Sequence, residues 1–294
     1  MTRRLRRMAD VSLMPVTEAD EDKHASRRTE EVLTSPILLT GGTGTLGKLV
    51  AARLIGAGCD LRVLSRGRKE PTPGVEHVTV DLLAGTGIDS AVAGIHTIVH
   101  LAGGPKHDDV VARNLVRAAR GAGVQHVVLM SVIGADRMPL GYFRAKLAAE
   151  QAVAASGIPW TTLRAAQFHE LCLSMAHKMS VLPVIPTPTG MRFQPIAAGD
   201  VAARIVELAL DSPAGLVPEL PGPDIHDLRE LLRSYLSLRG KRRWMLPVRM
   251  PGSVGRAYRA GENLTQDQTI TGTQTWEQFL HEQVPLARPT ALCG

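Results

Sequence analysis

The feature that most constrains this 294-residue chain is a single turn of sequence near its start. An apolar run, Pro36–Thr40 (PILLT), leads directly into Gly41-Gly42-Thr43-Gly44-Thr45-Leu46-Gly47, and a helical stretch, Lys48–Gly56, follows. A buried strand that turns through glycines and restarts as a helix brings backbone close to backbone. Glycines in the pattern Gly41-x-x-Gly44-x-x-Gly47 permit the tight turn, the approach of a pyrophosphate and close helix packing. The helix start then offers free N–H groups and its dipole to the phosphates. The spacing predicts a nucleotide site built from Gly41, Thr43, Gly44, Thr45, Leu46 and Gly47.

The same strand–helix alternation continues downstream. Leu61–Ser65, Val75–Asp81, Thr97–Leu101, Gln125–Ser131 and Thr161–Arg164 read as short buried strands, and Asp108–Gly121 and Phe143–Ser156 read as helices. Strands joined by helices, with no hairpin signals, predict right-handed crossovers and an α/β, doubly wound parallel sheet whose ligands lie at the strands' C-terminal ends. Beyond residue 165 the alternation loosens. Pro183, Pro186 and Pro188 exclude a helix there, whereas Gly199–Leu210 and Leu228–Leu238 are amphipathic helices. The expected organisation is a disordered extension over 1–34 and a nucleotide-binding domain over 35–260. Its small substrate-covering region comes mainly from 165–260, and a tail, 261–294, packs on the domain.

Composition narrows the function. The net charge is +6, which raises the question of a polyanionic partner. The Arg-rich start of the arm does not explain it, because residues 1–34 carry seven basic and seven acidic side chains. Four Phe, three Trp and three Tyr are poor equipment for stacking on single-stranded nucleic acid, so no nucleic-acid partner is expected. No apolar run is long enough to span a bilayer, and no membrane partner is expected. No hydrophobic segment follows the Arg cluster, which excludes a secretory signal. Three scattered cysteines, Cys59, Cys172 and Cys293, fit a reducing cytoplasm better than a disulfide scaffold or a zinc site. His96 and His100 are four apart, but Thr97–Leu101 reads as a strand and not a helix, so no metal is expected. A small-molecule substrate and a monomer or homodimer complete the expectation.

The second strand ends in Leu64-Ser65-Arg66-Gly67-Arg68-Lys69, where an NAD-specific site carries a carboxylate for the ribose 2′-OH. Arg66, aided by Arg68 or Lys69, suits a 2′-phosphate, which predicts NADP (NADPH) as the cofactor over NAD. Asp81 and Leu82, at the end of the third strand, are placed beside the adenine. Tyr142 and Lys146 lie one helical turn apart on one face. An ammonium there lowers the phenol's pKa and lets it exchange a proton near neutral pH. Ser131, at the end of the fifth strand, is expected to face the same cleft and bind a substrate carbonyl.

Thr40–Gly47, His100–Gly103 (HLAG), Ser131–Gly134, Tyr142–Lys146 and Pro159–Arg164 together give the chain a family likeness. It resembles the short-chain dehydrogenase/reductase superfamily, especially its atypical NAD(P)H-binding, NmrA-like branch, over residues 36–250. The resemblance implies a Rossmann-type domain, an NAD(P) cofactor and Tyr142 as acid/base. It also implies Lys146 on the nicotinamide ribose, Ser131 orienting substrate, and Ala102 and Gly103 passing close to the cofactor. Gln167, Phe168 and His169, after the sixth strand, would border nicotinamide and substrate, and Asn114 lies where related enzymes place an Asn. The branch also includes non-catalytic redox-sensing regulators. The reading is therefore an NADPH-dependent oxidoreductase acting on a carbonyl, quinone or similar small molecule. The alternative is an NADP(H)-binding sensor that acts through a protein partner. A cofactor-recycling epimerase usually needs a larger sugar-nucleotide region than follows residue 165.

Overall fold

The computed structural model describes residues 35–104, 106–265 and 270–284; the 1–34 arm and Cys293 lie outside the described residues. Seven parallel strands form one sheet in the order β3-β2-β1-β4-β5-β6-β9. They are β1 (Ile37–Thr40), β2 (Leu61–Ser65), β3 (Val75–Thr79), β4 (Thr97–His100), β5 (His126–Val132), β6 (Trp160–Ala165) and β9 (Gly215–Leu216). The order reverses between β1 and β4, which opens a crevice beyond their C-terminal ends.

The strands read as unbroken apolar runs because both faces are covered. Ile37 and Leu39 of β1 enter a core with α1 (Thr45–Gly56) and a later helix, Ala198–Leu210. Leu38 points the other way, into a core with α2 (Ile88–Val92) and α3 (Asp108–Gly121), which Val153 of α4 (Gly141–Ala154) also joins. β3 is shorter than its apolar pattern, because the Asp81 carboxylate accepts from the Leu83 and Ala84 N–H groups and turns the chain.

The C-terminal cover is more elaborate than its sequence suggests. It comprises α5 (His169–Met179), α6 (Ala198–Leu210), α7 (Leu228–Leu238), α8 (Gly252–Ala260) and α9 (Trp276–Gln283). Two small sheets accompany them: β7 (Val184–Pro188) pairs parallel with β11 (Trp244–Val248), and β8 (Arg192–Phe193) pairs antiparallel with β10 (His226–Asp227). Pro186 and Pro188, which exclude a helix, are accommodated in a strand because a two-stranded sheet consists only of edges. Cys172, Ile185, Leu231, Tyr235, Trp276 and Phe279 share the core beneath these elements. Cys172 is buried, and that burial, reinforced by Glu170, pushes its thiol up to about 12. Among the described residues no helix is long and apolar enough to cross a membrane.

Candidate functional site

The glycine loop has the shape its spacing predicts. Gly41 adopts φ +71°, and a Cβ there would come within 2.8 Å of the Ala102 backbone nitrogen. The loop is thus pressed onto the end of β4. Gly47 is more constrained still: its Cβ would meet the Gly41 carbonyl oxygen at 2.1 Å. Gly44 differs, because a Cβ there would meet only the Gly41 carbonyl oxygen, at an ordinary 3.4 Å. Thr43, Gly44 and Thr45 form the loop's exposed crest, while Leu46 and Gly47 are buried. Gly44 is the N-cap of α1, supplies no side-chain cap, and no acid follows in the first turn. The first N–H groups of a helix lack intrahelical partners. This terminus therefore keeps both its donors and its partial positive charge for an anion.

Thr40, at the end of β1, ties the loop to β4. Its hydroxyl lies 2.7 Å from His100 Nδ1 and accepts from the Ala102 N–H at 3.1 Å. Burial, with the charge of Lys146, lowers the His100 pKa to about 3, so the ring is neutral. Beyond it, Gly103 is exposed and lies against the charged pair: a Cβ there would stand 2.6 Å from Lys146 Nζ and 3.0 Å from Asp108 Oδ2, so a side chain would displace their tips. Lys146 Nζ pairs with Asp108 Oδ2 at 2.9 Å, and the other Asp108 oxygen accepts from the Gly104 N–H at 2.6 Å. His107, just before Asp108, has φ 68°, a left-handed conformation that a side chain adopts only under local constraint.

Tyr142 stands one turn before Lys146 and is 39% exposed. Its pKa moves upward, not downward as the Tyr–Lys spacing predicts. Burial is the largest cause; Lys146 pulls down, and Asp108 pushes up. The phenol accordingly holds its proton at neutral pH. Ser131 also departs from expectation. It is buried, and its hydroxyl donates to Glu150, two helical turns beyond Tyr142. Glu150 is held in turn by Arg164 through bonds of 3.0 and 2.7 Å, and Arg164 reaches Asp136 at 2.9 Å. A buried carboxylate facing a guanidinium is a stronger acceptor than water in an open cleft, so it draws the hydroxyl inward.

At the end of β2, Arg66, Arg68 and Lys69 are exposed, and none is ion-paired among the described residues. Asp81 is exposed, with one carboxylate oxygen spent on the turn, and Leu82 is buried. Asn114 has a structural job, donating to the Leu82 and Leu83 carbonyls and so fixing the β3–α2 loop. Gln167 is partly buried, and its Oε1 meets no donor among the described residues. Phe168 is the N-cap of α5 and packs on the sheet core. His169 is fully buried, stacked 5.0 Å from Phe279 and bonded to the Gln274 carbonyl at 3.1 Å. It presents no surface to a ligand, which corrects the expectation that it borders a substrate. Asp108, Thr40 and Glu150 were not anticipated. An acid opening a helix reads as an ordinary favourable helix start, and no sequence signal placed Asp108 beside Lys146.

A cradle of glycines and a free helix N-terminus at a topological switch point, with unpaired arginines at the end of the neighbouring strand, define a dinucleotide-binding protein. The comparisons agree. A family model described as NAD(P)H-binding matches residues 41–212, more than half of the chain, and the chain belongs to that family. It is 30% identical over 203 residues, 66% of this chain and 70% of the relative, to (4-alkanoyl-5-oxo-2,5-dihydrofuran-3-yl)methyl phosphate reductase of Streptomyces griseus. It is 25% identical over 287 residues, 87% of each chain, to ceramide reductase of Caulobacter vibrioides. Among solved structures, the NADPH-dependent quinone oxidoreductase of Escherichia coli, complexed with NADPH, superposes with a TM-score of 0.70 at 22% identity, covering 84% of this chain and 99% of that one.

Proposed function

We propose that this chain is an NADPH-dependent reductase of a carbonyl, quinone or similarly electron-poor small molecule. The observation that carries the reading is the group Tyr142, Lys146 and Asp108 beside Gly103, at the C-terminal edge of the sheet. The site residues fit the cofactor: the Gly44 crest and the α1 terminus would hold the pyrophosphate, Arg66 and Arg68 a 2′-phosphate, and Gln167 Oε1 awaits a donor. When bound, the nicotinamide supplies the hydride. Tyr142, kept protonated by its surroundings, delivers the proton to the oxygen of the reduced substrate. Lys146 holds positive charge beside the phenol and stabilises the phenolate left behind. Asp108 fixes the lysine. Ser131 and Glu150 brace the helix carrying Tyr142. The relatives' names, which specify reduction of a furanylmethyl phosphate, a ceramide and a quinone, support the reaction class.

A second reading, a non-catalytic NADP(H)-binding sensor, draws on a specific observation. Ser131 is committed to Glu150 and Lys146 to Asp108, so two of the three expected catalytic groups already have partners. Turnover of NADPH with a panel of carbonyls and quinones separates the readings. Tyr142→Phe is expected to lower kcat by about 10²–10⁴ with NADPH affinity unchanged. Absence of turnover in the unmodified protein, with a partner that distinguishes its oxidised and reduced forms, favours the sensor. Arg66→Ala is expected to weaken NADPH about tenfold or more and NADH little. Equal losses would remove the basis for preferring NADPH.

A further inference from the structure

The β7–β11 sheet has one face in the core and one in solvent, and the solvent face is apolar. Successive side chains of a strand point to opposite faces. Ile185 and Thr187 turn inward and are buried. Val184 is paired in register with Trp244, and Pro186 with Leu246, and all four are exposed. Trp244 is 83% exposed, far more than a large aromatic in a folded chain ordinarily is. Val181 and Leu182, leading into β7, are exposed as well, so the patch is contiguous along the chain. Such a patch marks a contact surface.

Its border identifies the partner. Trp244 also lines a groove of about 900 Å³ with Arg229, Arg233, Lys241, Arg242 and Arg243 and no carboxylate. None of these five cations forms an ion pair among the described residues. Arg243 bonds the Ser180 carbonyl at 3.2 Å, which ties the basic turn to the apolar segment beginning at Val181. Arg229 bonds the Met245 carbonyl at 3.1 Å, which fixes α7 to β11. An apolar sheet face with an exposed Trp, rimmed by unpaired cations, complements a surface that is apolar beneath an anionic layer.

We propose that the outer face of β7 and β11, with its basic rim, docks the protein peripherally on a bilayer rich in anionic phospholipid. Trp244, Leu246, Val184 and Leu182 enter the interface, and Lys241 and Arg242 face the headgroups. This adds a membrane surface to the partners expected from the sequence, without any spanning segment.

The test is co-sedimentation of the full chain with vesicles of phosphatidylcholine alone and of phosphatidylcholine with phosphatidylglycerol. Binding is expected only to the anionic vesicles, falling with added salt. It should weaken on the order of tenfold or more in Lys241→Glu with Arg242→Glu, and comparably in Trp244→Ser with Leu246→Ser. The difference in Trp emission between the unmodified chain and Trp244→Phe should shift blue on binding. NADPH affinity should stay unchanged in every variant, which certifies their folding. Several results overturn the proposal. They are no preference for anionic vesicles, or loss with the charge variant but not the apolar one, which leaves a simple anion site that inorganic phosphate would fill. A Trp244 emission already blue and shielded without vesicles also overturns it, because another segment or a second copy then covers the face.

Discussion

The two halves of the molecule differ in how some of their helices begin: among the described residues, complete capping boxes occur only in the C-terminal cover. In the nucleotide-binding half, α1, α3 and α4 begin at Gly44, His107 and Leu140, and none has a side-chain cap. In the C-terminal cover, α7 and α9 begin with complete capping boxes, Asp227 with Glu230 and Thr275 with Gln278. A capping side chain satisfies the N–H groups that a phosphate would otherwise use. A helix start left open has forgone about 1 kcal/mol of capping stabilisation. At α1 that opening coincides with the glycine cradle. Uncapped termini elsewhere in the cover, such as Phe168 on α5, have no such cradle, so the missing cap is informative only beside the glycines.

The largest expected effect tests what braces the first half. Glu150→Gln removes the carboxylate charge that faces buried Arg164 and turns an amide N–H toward one of its donors, while the remaining oxygen still accepts from Ser131. The loss should be about 3 kcal/mol, at the low end for a broken buried pair because Asp136 still faces the guanidinium. Chemical denaturation measures it, and a loss below about 1 kcal/mol would show the network to be dispensable. The glycine loop gives the next contrast. Gly47→Ala forces a Cβ against the Gly41 backbone and should cost about 1–3 kcal/mol together with NADPH affinity. Gly44→Ala has room for its Cβ, so stability should hold while NADPH affinity falls about tenfold. Equal stability losses at both positions would remove the distinction between a packing glycine and a ligand-facing one.

Each half also buries a neutral histidine, His100 in the first and His169 in the cover, and burial lowers the pKa of both. Their unfolded forms bind a proton below about pH 6.5, and the folded forms resist it. The unfolded state then binds more protons, so stability falls as the pH drops. For His100 the window runs from about 6.5 down to about 3. The slope is at most about 1.4 kcal/mol per pH unit for each ring. His100→Asn should flatten a thermal-stability profile across that window. An unchanged slope would show that His100 does not carry the acid sensitivity.

The sequence made the halves unequally legible. Where both sheet faces are buried, strands are continuous apolar runs between glycines, and β1, β2, β4, β5 and β6 fall within about two residues of their expected bounds. The cover uses two-residue strands and strands containing prolines, which leave no periodic pattern. α9 did leave a signal: Thr275 and Gln278 at capping-box spacing, then Trp276, Phe279 and Leu280 on one face. In the site, motifs set by backbone geometry were readable, namely the glycine loop and the Tyr142–Lys146 turn. Contacts set by three-dimensional packing were not. Ser131 stands on the expected strand, yet which acceptor it meets depends on Glu150 nineteen residues later. Asp108 and Lys146 meet only because α3 and α4 pack side by side.

The smallest predicted effect returns to the caps. Asp227 accepts from the Glu230 N–H at 2.8 Å while the Glu230 carboxylate accepts from the Asp227 N–H at 2.8 Å. Asp227→Ala removes one arm of this box and should cost about 1 kcal/mol. Because α7 begins in the cover, where no glycine cradle faces its start, NADPH affinity should not change. Denaturation and cofactor titration of the same variant read the two quantities together. If affinity fell in step with stability, the cover and the nucleotide site would be coupled, and the open start of α1 could no longer be treated as a local adaptation to its ligand.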